Sequence, residues 1–265
     1  MIIQDDVPDA SNWCFIIGFG RTGTTALVDA LNGHSAIHML KEAWMWGYVD
    51  LLQTPKYNML LKSSPMYRSI EYYKAAMPDK LGVHLNNYEL NGAPTDVTEN
   101  IWQASDIRKF MEAFREISTN ANALVFGEKN WYYRFILDDL LKVFPNCNLL
   151  ITTRNKWDLA ASSMDSAPFQ ERRSNLSRDE LAKVALERAE MICAKDKEIL
   201  KLYNNAYEVN FKKMANDPQA ELRDLLQILH LDEKEYHWNV LDALWHERAM
   251  NHWKRIPELV DLKNK

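Results

Sequence analysis

The stretch FIIGFGRTGTTALVDALNG, Phe15 to Gly33, decides how the rest of the chain is read. Phe15, Ile16 and Ile17 have the composition of a buried strand, and they run into Gly18, Gly20 and Gly23, whose backbone N–H groups no side chain shields. The residues after Gly23 have a helical pattern that stops at Asn32-Gly33, where a glycine can take a left-handed cap. A strand that breaks at glycines and continues as a helix aims free N–H groups and the positive end of a helix dipole at one spot. An anionic ligand near Gly20 to Thr25 is therefore the first inference.

Three phosphate-binding patterns fit this stretch. Gly18, Gly20 and Gly23 spell the G-x-G-x-x-G of a dinucleotide-binding fold, with Glu42 about twenty residues on, near where a ribose-binding acid belongs. Gly18, Gly23 and Thr25 fit a P-loop, but Thr24 stands where its lysine should be, and no later strand ends in a convincing magnesium-binding acid. The third pattern keeps Arg21-Thr22-Gly23-Thr24-Thr25, a loop that donates hydrogen bonds and carries a positive charge.

A second stretch chooses among them. In LLITTRNKWDLAASSM, Leu149 to Met164, an apolar strand delivers Arg154 at its C-terminal end, and Ser162 follows eight residues later, about two turns into the next helix. An arginine fork and a hydroxyl on that spacing can grip a second phosphate.

With both stretches in view, the sequence resembles the sulfotransferases that use 3′-phosphoadenosine-5′-phosphosulfate (PAPS). The family's Lys/Arg-x-Gly-Thr-Thr loop is matched by Arg21-Thr22-Gly23-Thr24-Thr25. Its arginine and serine eight residues apart are matched by Arg154 and Ser162, with Asn155 and Asp158 between. FGEKNWYY is similar to the Glu-Lys segment of carbohydrate and bacterial members, and YEVNFKKMANDPQAEL to the family's strand, Asp-Pro turn and helix. The resemblance implies an α/β fold of P-loop-NTPase type, three-layered with a mainly parallel sheet, over a single domain of residues 1–265. Residues about 51–120 form a helical cap over the acceptor site in this reading. It implies PAPS as donor, 3′,5′-ADP as product, no metal, and a cofactor set of Arg21, Thr22, Gly23, Thr24, Thr25, Arg154, Ser162, Phe211 and Arg248. Phe211 sits where many members place a tyrosine near adenine, whereas Ala26 replaces the tryptophan of cytosolic members. The closing stretch around NHWKRIPEL resembles one that brings basic groups over the 3′-phosphate.

The rest of the chain is consistent with one α/β enzyme. Five strand-like runs (WCFIIG, AIHML, ALVFGE, NLLITT, AYEVNF) alternate with helical patterns, which predicts a mainly parallel sheet. Helices are expected over 106–117, from Arg178 to Tyr203 behind a Ser177/Glu180 capping box, and from Asp217-Pro218, the last clear helical signal. A net charge of −5, from 32 basic and 37 acidic residues, argues against a general nucleic-acid binder and makes any anion site local. No window approaches the ~20 uninterrupted apolar residues of a membrane span, and the acidic N-terminus does not resemble a secretory signal, so the expected location is cytoplasmic. Cys14, Cys147 and Cys193 are odd in number and lie in or beside apolar runs, as reduced thiols do.

Sulfuryl transfer resembles phosphoryl transfer in being in-line and loose, so alignment and charge stabilisation carry the catalysis. Arg21 is the expected electrophilic clamp. Glu42 is the first choice for the base that takes the acceptor's proton; His38 and His34 are the alternatives. Trp44, Trp46, Lys129, Trp131 and Tyr132 are the expected acceptor residues, and aromatic faces with an acidic overall charge suit a small polar or cationic molecule, taking sulfate on a hydroxyl or amine. A carbohydrate acceptor, an NAD-dependent oxidoreductase and a non-catalytic nucleotide-binding module are the rival readings. The sequence fixes no oligomeric state.

Overall fold

The computed structural model describes residues 13–18, 20–41, 108, 112, 115, 123–244 and 251–264. In chain order these form β1 (Trp13–Ile17), α1 (Thr24–Leu31), β2 (Ile37–Lys41), β3 (Val125–Lys129), a 3₁₀ turn (Trp131–Phe135), α2 (Leu137–Val143), β4 (Asn148–Thr153), α3 (Lys156–Met164), α4 (Ala167–Glu171), α5 (Arg178–Leu202), β5 (Ala206–Asn210), α6 (Phe211–Asn216), α7 (Pro218–Ile228) and α8 (Pro257–Asn264). All five expected strands are present, in one parallel sheet of order β2-β3-β1-β4-β5. The registers of the outer pairs set Lys41 beside Lys129 and Thr153 beside Asn210, so these strands end level at their C-terminal edge. Of the expected helix over 106–117, Arg108, Glu112 and Arg115 are described, and all three are helical.

The chain divides into two compact units, residues 1–15 with 35–147, and residues 16–34 with 148–265. In the first, Trp13 is fully buried, 5.1 Å from the Phe126 ring and 4.5 Å from Phe144, and its indole N–H donates to Glu112 Oε1 at 2.9 Å. The tie to Glu112 satisfies the one polar group of a buried tryptophan, as burial demands.

In the second unit the Ser177/Glu180 capping box closes on both sides, the Ser177 N–H donating to Glu180 Oε2 and the Glu180 N–H to Ser177 Oγ. Behind it Leu181, Ala182, Ala185, Ala189 and Ile192 form one buried stripe. This stripe packs with Leu159, Ala160, Ala161 and Met164 of α3. Alanines on both sides let the two helix backbones come close, which fixes the helix that carries Ser162. Asp217 caps α7 by accepting from the Ala220 N–H, and Leu222, Leu225 and Leu226 are its buried face. A helix beyond the last clear sequence signal, α8, joins the same core through Leu259, preceded by Ile256. Its eight residues, PELVDLKN, are too short and too charged to show a helical period of their own.

Candidate functional site

The turn after β1 is built so that only particular residues fit. A Cβ on Gly18 would lie 1.8 Å from Thr152 Oγ1, 2.5 Å from Thr24 Cγ2 and 2.8 Å from Thr22 Oγ1, so the strand end admits glycine alone. The Thr22 and Thr152 hydroxyls share a hydrogen bond of 2.6 Å that stitches the turn to β4. Gly23 sits at φ 89° and Arg21 at φ 81°. The left-handed region is free to glycine, but it costs an arginine about 1–3 kcal/mol, strain of the kind that persists at ligand-binding turns. Gly23 caps α1 without any side-chain hydrogen bond to the first-turn N–H groups.

The second motif meets the first within the same unit. β4 ends at Thr153, Asn155 caps α3 by accepting from the Trp157 N–H at 2.9 Å, and Ser162 lies buried two turns on. Arg21 Nε donates to Ser162 Oγ at 2.9 Å, and Arg154 Nη1 donates to the Arg21 carbonyl at 2.7 Å. The Arg154 guanidinium also stacks on Phe211, 4.5 Å from the ring centre, where Asn210 starts α6 by accepting from the N–H groups of Lys212 and Lys213. Burial holds the Arg154 pKa below the usual guanidinium value; the Asp158 carboxylate opposes this, and the like charge of Arg21 adds to it. Two guanidiniums held close enough to repel each other, beside a turn that presents backbone N–H groups, favour a ligand with more than one negative charge.

The remaining expected residues fall as follows. Thr24 is buried and Thr25 exposed in the first turn of α1, while the Thr22 hydroxyl faces Thr152. His38 lies on β2 with its ring stacked 6.0 Å from Phe126, and burial pushes its imidazole pKa down. His34 is buried and bonds through Nε2 to the Asp232 carbonyl. Lys129 is the buried last residue of β3, and Trp131 is 39% exposed, edge-on to Phe135. Glu42, Trp44, Trp46, Arg248 and the Tyr132 side chain lie outside the described residues.

Three features were not anticipated. Thr152 locks the glycine turn; a threonine inside an apolar strand gave no hint of it. Glu128 is fully buried and accepts from Tyr133 Oη at 2.6 Å and Asn130 Nδ2 at 3.1 Å, closing the turn that presents Lys129 and Trp131. Arg154 lines a cavity of about 390 Å³ together with Thr153, Lys156, Asp196, Glu208 and Lys212, which no sequence spacing signals. Among the described residues no His, Cys, Asp or Glu side chains group as a metal site would need, and no helix is long and apolar enough to cross a membrane. All three cysteines are free.

The fold is similar to solved sulfotransferases. A sulfotransferase domain from the olefin synthase of Synechococcus PCC 7002 superposes with a TM-score of 0.60 at 15% identity, over 98% of this chain and 95% of that one. A sulfotransferase from Alicyclobacillus acidocaldarius gives 0.51 at 17% identity, over 96% of each chain. No curated protein matches in sequence. The Sulfotransferase family profile matches residues 14–235, from β1 through both arginine motifs to the turn after α7, and a match over that much of the chain shows that it belongs to the sulfotransferase family.

Proposed function

We propose that this protein transfers the sulfuryl group of PAPS to a hydroxyl or amine of a small polar or cationic acceptor, without a metal. The observation that carries the proposal is the meeting of Arg21 with Arg154 and Ser162 at a glycine turn. Their donors fit the group: two guanidinium forks, a buried hydroxyl and an uncapped helix start suit a nucleotide bearing a phosphate at one end and a phosphosulfate at the other. In this reading Arg21, the N–H groups of the turn, Thr24 and Thr25 hold the 5′ end. Arg154, Ser162 and Arg248 hold the 3′-phosphate, and Phe211 lies toward the adenine. When bound, PAPS supplies the activated sulfuryl group. Arg21 then stabilises the charge that develops on the departing phosphate oxygen.

Glu42 is proposed as the base that takes the acceptor's proton, with His38 the alternative. Trp44, Trp46, Lys129, Trp131 and Tyr132 are proposed to contact the acceptor. An acceptor class of natural products draws support from the olefin synthase that contains the first of the similar domains. A cytoplasmic location is part of the same proposal.

The strand order weighs against the oxidoreductase reading. A dinucleotide fold sets the strand that ends in the ribose-binding acid next to β1. Here β3 lies between β1 and β2, and Glu42 follows β2. Thermal-shift titration with 3′,5′-ADP, NAD and ATP tests the donor: stabilisation by 3′,5′-ADP at concentrations where NAD and ATP do nothing is expected. Preference for NAD or ATP overturns it. Transfer of label from [35S]PAPS to an acceptor panel separates an enzyme from a binding module.

A further inference from the structure

The cavity beside Arg154 carries groups that the donor reading does not use, and it lies wholly within the second unit. Along β4 the Thr152 side chain meets the glycine turn through Thr22, so the next residue, Thr153, projects from the opposite face of the sheet. The register of β4 and β5 sets Thr153 beside Asn210 and Ile151 beside Glu208, which puts Asn210 and Glu208 on the face of Thr153. Across from them α5 presents Cys193, Asp196, Lys197 and Leu200, spaced as one helical face. The space between, about 390 Å³, falls within the ~300–1,000 Å³ of small-molecule pockets, and Arg21, Ser162 and Phe211 are not among its walls.

Its polar groups divide into those with partners and those without. Glu208 accepts from Thr153 Oγ1 at 2.6 Å, Lys156 pairs with Glu190 at 2.6 Å, and the side-chain oxygens of Asn155 and Asn210 cap α3 and α6. Among the described residues the ammonium groups of Lys197 and Lys212 have no ion pair or hydrogen bond, and the Asn155 carboxamide nitrogen donates to none. These three remaining groups are all donors. The charges agree: Arg154, Lys156, Lys197 and Lys212 line the space against Asp196 and Glu208, and Glu190 offsets Lys156, so one positive charge is left over.

We infer that this cavity binds a small organic oxyanion of single negative charge, its head group accepting hydrogen bonds from Lys197, Lys212 and Asn155 and its carbon body lying against Leu200 and the lysine stems. An ionised carboxylate or sulfate ester only accepts, which matches a set of donors, whereas an ammonium ligand would repel Lys197 and Lys212. A bare inorganic ion would leave most of the space and the Leu200 side chain in water, so the carbon body is part of the fit. The site stands independently of the PAPS reading.

The test follows the Leu200 methyl groups and the Lys197 and Lys212 amides in ¹H–¹³C and ¹H–¹⁵N spectra of the full chain. Butyrate, butyl sulfate, 1-butanol and butylammonium are titrated at matched ionic strength. Saturable shifts with the two anions and none with the alcohol or the cation are expected, and the tighter anion names the head group. Lys197→Gln and Lys212→Gln, both at exposed positions that tolerate the change, should each weaken binding by a factor of about three or more. Adding 3′,5′-ADP should leave the bound anion in place. Shifts that are absent, that butanol or butylammonium reproduces, or that survive both substitutions overturn the site. Displacement of the anion by 3′,5′-ADP would make the cavity part of the donor site, which overturns it as a site of its own.

Discussion

Arg154 Nη1 donates to the carbonyl oxygen of Arg21, and Arg21 Nε in turn donates to Ser162 Oγ, so the two halves of the site hold each other. On sequence grounds each arginine is expected to hold a phosphate of its own. The structure adds that neither arginine can change partner without disturbing the other motif. A ligand with two phosphate groups can replace both contacts together, whereas a ligand with one can replace only one of them. For the proposed donor site this predicts that 3′,5′-ADP binds more tightly than the separate effects of 3′-AMP and 5′-AMP would give.

Replacing Arg154 with alanine removes a charge-assisted fork and should cost about 1.5–3 kcal/mol, a ten- to hundredfold loss of 3′,5′-ADP affinity by calorimetry. The Arg21→Ala and Arg154→Ala effects should fail to add by more than ~0.5 kcal/mol in a double-mutant cycle, because the like charges of the two guanidiniums act on each other. Unchanged affinity in Arg154→Ala would falsify the assignment of the second motif.

Gly18 and Gly20 both look like motif glycines, yet the structure separates them. A Cβ on Gly18 collides with Thr152, Thr24 and Thr22, while a Cβ on Gly20 meets nothing within 4 Å. Gly18→Ala should therefore lose about 1–3 kcal/mol or more in urea unfolding, with the slope unchanged, and Gly20→Ala should stay within ~0.5 kcal/mol of the parent. Equal effects would mean that the turn is not packed against β4 as described. The contrast also bears on the dinucleotide pattern, which requires its second glycine for close backbone approach to a ligand.

The parts of the fold legible in the sequence were those with a local signal. Five apolar runs became the five strands, and the Ser177/Glu180 and Asp217-Pro218 signatures marked helix starts, because capping chemistry is decided within four residues. Gly33 shows the limit. Its sequence position suggested a left-handed cap, but among the described glycines only Gly23 has positive φ. The C-cap, Asn32, stays right-handed, and Gly33 is required instead because a Cβ there would lie 2.9 Å from the Tyr236 ring. That contact joins residues about 200 positions apart, and no local pattern reports it. The same holds at the site: both arginine motifs were visible, whereas the Thr152 lock and the Glu128–Tyr133 bond depend on tertiary neighbours.

His38 makes stability depend on pH in a definite direction. Burial against Phe126 holds its folded pKa below the ordinary 6.5, so above pH 6.5 it is neutral in both states and contributes nothing. As pH falls below 6.5 the unfolded chain takes up the proton first, and stability declines until the folded state can protonate too. The melting temperature should therefore fall from pH 7 to pH 5.5, and less steeply in His38→Gln. Identical slopes in the two proteins would show that the imidazole is not shielded as described.

The same variant helps to assign the proposed base. Glu42→Gln keeps the side chain's shape and removes its basicity, so with Glu42 as base it should cut turnover by about 10²-fold or more and leave PAPS affinity nearly intact. The ring of His38 is stacked on a core aromatic, which favours a packing role, so His38→Gln is expected to lower stability, most visibly above pH 6.5, more than it lowers turnover. His34 is held by the Asp232 carbonyl, beside the bridge that His34 makes to Tyr236, and its loss should show as reduced stability. Steady-state rates with [35S]PAPS and melting temperatures on the three variants, measured from pH 5.5 to 8.5, separate these outcomes. Full turnover in Glu42→Gln together with a collapse in His38→Gln would transfer the base role to His38, and the rate of the parent enzyme would then rise through a pKa below 6.5.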